Sequence, residues 1–243
     1  MSNFFKFFPV IDYKFGDNGS TDQFENISIY ANVVDQVLNN VSSYQDYYVL
    51  PGERPDQVSQ KLYSTPNYHW TLFLMNDSVR KSGWPLSPQQ LFEEAEYRYS
   101  TRVITTRTKL TDKFKVGQTI TGNSSAATAT IEKRNLDLGQ LYLVEVSGTF
   151  TAGETINSTN SDGDIEVITA TSFEFQYNAA HHYTNSEGHT VDIDPEVGPG
   201  AQLTEVTWLG RLQAINDAKR QLKVIKPSII SEVVRSFRDT VDI

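Results

Sequence analysis

The chain reads as an α+β protein in which a strand-helix-helix-strand unit lies within a mixed domain and a small all-β module is inserted. Three observations predict this. Between Tyr47 and Leu86, short runs of strand and helix periodicity alternate across Pro-Gly and Ser-Thr-Pro breaks. From Thr108 to Thr171 the composition turns to Thr, Ser, Gly and Val with few aromatics, and from Ser172 onward strand and helix patterns return. The organisation expected is therefore 1–107, an inserted all-β module over 108–171, and 172–243 completing the host domain.

In the first region, Ile27, Tyr30, Val34, Val37 and Val41 recur at three- and four-residue intervals and predict a helix despite their β-branched content. Tyr47–Leu50 predicts a strand ended by Pro51-Gly52. Pro55 then sits where a helix begins, with Val58, Leu62 and Tyr63 on one face. Ser64-Thr-Pro66 breaks it, and Pro66–Met75 predicts a second helix that buries Trp70, Phe73 and Leu74 and closes at Asn76-Asp77. Gly83–Leu86 is expected as the returning strand, and Ser87–Ala95 as a further helix start.

The second region contains a repeat. Phe114-Lys-Val-Gly-Gln-Thr-Ile120 recurs as Phe150-Thr-Ala-Gly-Glu-Thr-Ile156, with the strand-like runs Ala127–Ile131 and Leu141–Val146 between the copies. Two copies are too few for a solenoid. In the third region, Phe173–Tyr177 alternates as a strand, and Asn185–Gly188 closes a hairpin between His181–Tyr183 and Thr190–Ile193. Trp208, Leu212, Ile215 and Leu222 mark a helix stripe, although Leu222–Ile225 also reads as a short strand before Pro227. Ile230, Val233, Val234 and Phe237 define a last amphipathic helix.

Aromatic residues make up 12% of the chain, with 12 Tyr and 13 Phe, which favours a protein that works through interfaces. Cysteine is absent, so disulfides, thiolate nucleophiles and Cys-type zinc sites are excluded. The N-terminal apolar run is interrupted by Lys6 and Pro9, and no apolar run reaches transmembrane length, so neither a signal peptide nor a membrane anchor is expected. A net charge of −9 disfavours nucleic-acid binding. Between Arg211 and Arg238, however, seven basic and two acidic residues give +5, which leaves −14 elsewhere and can steer partners together.

No catalytic constellation stands out. Histidines 181, 182 and 189 form the one cluster that suggests a metal, but adjacent strand residues point to opposite faces, which argues against a shared ion. His69 beside Trp70 has no nucleophile or second histidine in a recognisable spacing. Asp192, Asp194 and Glu196 alternate along an extended segment and could hold Ca²⁺; a solvated, charge-protected edge fits them better, because the run lacks the glycine and terminal glutamate of an EF-hand loop. Glu93, Glu94 and Glu96 read as a wet helix face. No phosphate loop, nucleophile elbow or zinc-helix motif occurs, so no enzyme, metal or cofactor is expected.

Residues Tyr47 to Leu86, with Tyr-Tyr-Val-Leu-Pro-Gly-Glu-Arg-Pro, Lys-Leu-Tyr-Ser-Thr-Pro-Asn-Tyr-His-Trp and Gly-Trp-Pro-Leu, strongly resemble the baseplate wedge protein of T-even-type contractile-tailed bacteriophages, a family whose centre looks like a LysM domain. Phe4–Tyr13 resembles the family's N-terminal arm and Asn216–Ile225 its C-terminal region, while the middle β module departs from shorter members. The resemblance implies a structural virion protein, made in the host cytoplasm and present in several copies, that joins wedge components and adjacent wedges around the tail hub. Partner contacts are expected through Phe4, Phe5, Phe7 and Phe8 and through Arg211, Arg220, Lys223 and Lys226. An alternative is a LysM-type peptidoglycan- or chitin-binding module, whose sugar-facing loops would be Gly52, Glu53 and Arg54 with Asn76, Asp77 and Ser78.

Overall fold

Short apolar strands need partners, and in this chain the partner of the first core strand comes from far downstream. A computed structural model describes residues 10–16, 19–25 and 39–241. The chain forms two compact units, one from Met1–Pro88 with Ile215–Ile243 and one from Gln89–Ala214. The architecture is α+β, and one sheet is a closed six-stranded barrel.

The first unit opens with a hairpin of β1 (Val10–Lys14) and β2 (Thr21–Glu25). The helix expected over Ile27–Val41 falls almost wholly outside the described residues; Val41 itself begins a 3₁₀ turn, Val41–Ser43. Next come β3 (Tyr44–Tyr48), α1 (Pro55–Tyr63), a 3₁₀ turn at Pro66–Tyr68 running into α2 (His69–Met75), and α3 (Asp77–Ser82). Pro55 at the first helical position and the left-handed Ser64, φ 58°, fix the two ends of α1 where the sequence predicts them.

The returning strand expected at Gly83–Leu86 does not form. β3 pairs antiparallel with β13 (Gln221–Ile225), from Tyr48↔Gln221 to Tyr44↔Ile225. Pro85 lacks an N–H for a ladder, and side chains hold this segment in place of one: Trp84 Nε1 donates to the Glu53 carbonyl at 2.7 Å, and Leu86 N–H to Asn216 Oδ1 at 2.7 Å. The pleat divides the core. Leu222 and Val224 pack with Val58 and Leu72, while Ile225 packs with Trp70 and with Ile230, Val234 and Phe237 of α6 (Ile230–Val241). Leu222 and Val224 are fully buried, and each such side chain contributes about 1.5–3 kcal/mol.

The second unit begins with α4 (Pro88–Arg98). Its barrel comprises β4 (Arg102–Thr106), β5 (Thr119–Gly122), β6 (Thr128–Asn135), β7 (Gln140–Ser147), β8 (Thr155–Thr159) and β9 (Ile165–Phe175), in the order β4-β7-β6-β5-β8-β9, with β4–β9 pairing closing the ring. Closure leaves the barrel without an edge strand. Beyond it, β10 (Ala180–Thr184) pairs with β11 (Thr190–Val191) and β12 (Thr204–Thr207), which leads into α5 (Trp208–Ala218). The helix stripe expected to reach Leu222 stops at Ala218, because Leu222 serves β13.

The sequence repeat is a structural repeat. Phe114 and Phe150 are buried, Ile120 and Ile156 are fully buried, and the glycines hold φ 90° and 86°, a region that penalises any Cβ. Gln118 accepts a hydrogen bond from Lys115 N–H, and Glu154 accepts one from Thr151 N–H, so the variable Gln/Glu caps its own turn in both copies. The following strands match bond for bond. Gly117 N–H donates to Ile131 O and Ile131 N–H to Gln118 O; Gly153 N–H donates to Ala170 O and Ala170 N–H to Glu154 O. β5 and β8 lie side by side, so the two copies are related as halves of the barrel.

Glu154 carries more than its turn. Its carboxylate also accepts bonds from the N–H and hydroxyl groups of Ser124 and Ser125, tying the loop after β5 to the second repeat. Burial alone would raise this carboxyl, but the donors outweigh it and lower it to about 2. The lowered value means a stabilisation that is complete above the ordinary carboxylate range of 4.5 and is lost as pH falls toward about 2. Glu154→Gln is expected to cost the barrel about 1–3 kcal/mol. In amide exchange at neutral pH, β5 and β8 should lose protection in the variant, and the difference from wild type should shrink through the acid range.

Candidate functional site

The turn after β3 gathers the charged residues of the first unit. Glu53 N–H donates to Leu50 O at 3.1 Å, and the Glu53 carboxylate turns back to accept Leu50 N–H at 2.8 Å, the Tyr47 hydroxyl at 3.2 Å and the Lys61 ammonium. Burial would raise the Glu53 carboxyl, but the Lys61, Leu50 and Tyr47 donors overcome it and hold it below its ordinary value. Burial and the same carboxylate push the Tyr47 phenol up. Arg54 forms a bidentate pair with Asp56 at 3.1 Å, and its N–H is capped by Gln57. Beside this network lies an open cleft of about 490 Å³ lined by Glu53, Asp56, Gln57, Gln60, Lys61 and Pro66.

The second proposed sugar-facing loop lies outside that cleft. Asn76 is buried, and its amide acts as a length of strand: Nδ2 donates to Leu72 O and Lys223 O, and Oδ1 accepts Lys223 N–H, all at 2.8 Å. Asp77 is exposed and paired with Arg80 at 2.5 Å and Lys81 at 3.2 Å, next to the exposed Ser78.

The basic residues separate by role. Arg220 is buried, pairs with Asp217 at 2.8 Å, and donates to Val49 O and Leu86 O, so its guanidinium stitches the first unit together. Lys223 is exposed with its ammonium 5.0 Å from the centre of the Tyr44 ring, a cation–π distance. Lys226 is half-buried, with its N–H on Ser43 O, and Arg211 is exposed on the part of α5 that belongs to the second unit.

Phe4, Phe5, Phe7 and Phe8 lie outside the described residues. Just beyond them, the β1–β2 hairpin displays a cluster that single-residue inspection misses. Tyr13, Phe15 and Phe24 meet edge to face at centroid distances of 5.0, 5.8 and 6.4 Å while remaining about half exposed, with Ile11 opposite Phe24. The two-residue spacing of Ile11, Tyr13 and Phe15 is the signal that places them on one face of a strand. On the other face Gln23 bonds Asp12.

The adjacent histidines depart from simple alternation. A register shift between Ala180 and His182 brings the Nδ1 atoms of His181 and His182 to 2.8 Å, so strand parity does not separate them. Burial, Arg211 and His182 all lower the His181 pKa, in that order. His189 faces Glu187 on the surface at 3.3 Å. Asp192, Asp194 and Glu196 are exposed, with Asp194 capping Glu196 N–H. Glu93 accepts from Gln89 at 3.0 Å and Glu94 pairs with Arg98 at 2.5 Å, while His69 Nδ1 lies 2.9 Å from Pro66 O. Among the described residues no group of three His, Cys, Asp or Glu is placed to hold a metal ion, and no helix is long and apolar enough to cross a membrane.

Residues 3–109 match a family described as Base plate wedge protein 53. The match takes in the hairpin, the Glu53 turn, α1, α2 and α3, and it supports a structural role in a phage tail baseplate. No curated protein matches the chain.

Asn76→Ala would strand the amide and carbonyl of Lys223 and is expected to cost about 2–4 kcal/mol, roughly the sum of two unmet buried groups. Urea unfolding followed by Trp70 and Trp84 fluorescence measures it. A loss under about 0.5 kcal/mol, the range of surface substitutions, would mean that Asn76 is not a strut.

Proposed function

We propose that this chain is a structural subunit of a phage tail baseplate wedge, which joins wedge components and neighbouring wedges around the hub by protein–protein contact. The observation that carries the reading is the family match over residues 3–109, on a unit whose hairpin holds three aromatic rings half exposed. Apolar rings kept in water without a partner are costly, and aromatic anchors of this kind dominate binding energy when a neighbour covers them. Tyr47–Leu86 is the LysM-like element in this reading, with β13 taking the place of the return expected at Gly83–Leu86. Residues 108–171 are the greater part of a β module added to the host domain, whose barrel is closed by Arg102–Thr106 and the end of β9. The exposed Arg211 and Lys223, with the half-buried Lys226, extend the contact surface by steering acidic neighbours, whereas Arg220 serves the fold. The subunit works in several copies, after assembly in the host cytoplasm, and needs no cofactor or catalysis.

A second reading, capture of a peptidoglycan or chitin chain, is favoured by the polar cleft at Glu53, Gln57, Gln60 and Lys61, which offers amide and charged groups to sugar hydroxyls. It places recognition at the β3–α1 turn and leaves Asn76 to the fold.

Paired replacement of Phe15 and Phe24 by Ser separates the two readings. Both side chains are exposed, so folding should change by less than about 0.5 kcal/mol. In co-sedimentation with purified wedge proteins, affinity should fall by about tenfold or more, the signature of lost anchors, while retention on insoluble peptidoglycan stays at background. Undiminished wedge binding by the double variant, or specific peptidoglycan binding that Gln57→Ala abolishes, would refute the baseplate reading of this surface.

A further inference from the structure

One end of the second unit carries a cleft that no catalytic or folding role accounts for. It encloses about 330 Å³ between the ends of β4 and β9 and the sheet of β10 and β12, and its polar groups are Arg107, Glu174, Tyr183 and Glu205. Ile193 and Pro195 line it, while the alternating Asp192, Asp194 and Glu196 between and beside them stay exposed. Asp194 O accepts the N–H groups of Val197 and Gly198, which closes the turn. A Cβ on Gly198 would meet Arg107 Cζ at 3.0 Å, so the guanidinium packs flat on that turn and a larger residue is shut out.

The cleft holds two carboxylates against the single guanidinium of Arg107, a net charge of −1. Glu174 accepts the Ser172 hydroxyl, at 2.9 Å, and Glu205 accepts the Tyr183 hydroxyl. Among the described residues neither is in an ion pair. Burial raises the Glu205 carboxyl, Glu174 raises it further, and the Tyr183 bond offsets part of this. The Tyr183 phenol is raised in turn, chiefly by burial and then by Glu205. A cleft of this kind attracts positive charge at long range and gains most when a cation enters it.

We propose that this cleft receives the guanidinium or ammonium group of a basic segment of a neighbouring baseplate protein. The identity of the neighbour rests on the baseplate reading; the cation site rests on the cleft alone. Glu174 and Glu205 take the charged group, a planar guanidinium pairing with carboxylates through two parallel N–H donors. Arg107 supplies donors for main-chain carbonyls of the entering segment.

A carboxyl raised by folding favours the folded chain below its raised pKa and opposes it once pH has risen through that value. Glu205 is exposed by surface area, and Gln keeps an acceptor for the Tyr183 hydroxyl, so Glu205→Gln is expected to leave the protein folded.

The test is a titration of the full chain with acetyl-arginine amide, followed by amide chemical shifts. Saturable shifts are expected at Ser172, Glu174, Tyr183 and Glu205, weakened about fivefold or more by Glu174→Gln with Glu205→Gln, and weakened in wild type as pH falls and Glu205 takes up a proton. Acetyl-norleucine amide, apolar and of similar length, should shift nothing. Absence of saturable shifts at these residues, or equal binding by the double variant, overturns the assignment. Joining wedge proteins without responding to the probe also overturns the cation site and leaves the baseplate reading intact; responding to the probe while joining no wedge protein supports the cation site and contradicts the baseplate reading.

Discussion

The pairing of β3 with β13 is the interaction on which the first unit depends. β3 alone is an edge with a row of open N–H and C=O groups, and a lone pair of strands is marginal in water unless a core forms on it. Here the core forms on both faces: Leu222 and Val224 complete the cluster around Val58 and Leu72, and Ile225 completes the one around Trp70 and Phe237. Two polar groups lock the same junction from the side, Asn76 by copying a strand's bonding to Lys223 and Arg220 by bridging Val49 and Leu86. Because closing a longer loop adds only slowly to the entropic cost, a whole folded unit can intervene between β3 and β13.

That constraint explains which parts of the fold were legible in the sequence. α1 and α2 are written locally, in Pro55, in the Ser64-Thr-Pro66 break and in the spacing of Val58 and Leu62. The partner of β3 is not local, and Gly83–Leu86 looked suitable only because it came next; Leu222–Ile225 carried the strand signal, but nothing in its own residues names Tyr44–Tyr48 as its mate. The barrel shows the same division. The Phe-x-x-Gly-[Gln/Glu]-Thr-Ile repeat announced two equivalent turns, yet closure depends on β4 meeting β9, a long-range pairing that composition does not encode.

Asn76 and Arg220, expected at sugar or partner contacts, serve the fold instead, as does Glu154 of the repeat. Asn76, Arg220 and Glu154 are buried polar groups with every bond directed at the backbone or at a neighbouring side chain, and such groups specify a fold. Strand parity predicts His181 and His182 on opposite faces, but a bulge at Ala180–His182 resets the alternation and brings their rings together. The groups left with capacity for partners are of another sort: half-exposed rings on the hairpin, exposed basic side chains near the C-terminus, and a cleft with more negative charge than its own residues neutralise. These three are the surfaces that the proposed wedge contacts draw on, and the match over residues 3–109 supports a structural baseplate role.

A distant strand completes the first unit, on which the proposed wedge contacts rest. Amide exchange on the chain cut after Gly210, compared with the whole chain, tests it most directly. Loss of protection across Tyr44–Tyr48, Pro55–Tyr63 and His69–Met75, with the barrel strands unchanged and wedge binding gone, is the predicted result. Retained protection of those helices without Gln221–Ile225 would contradict the account.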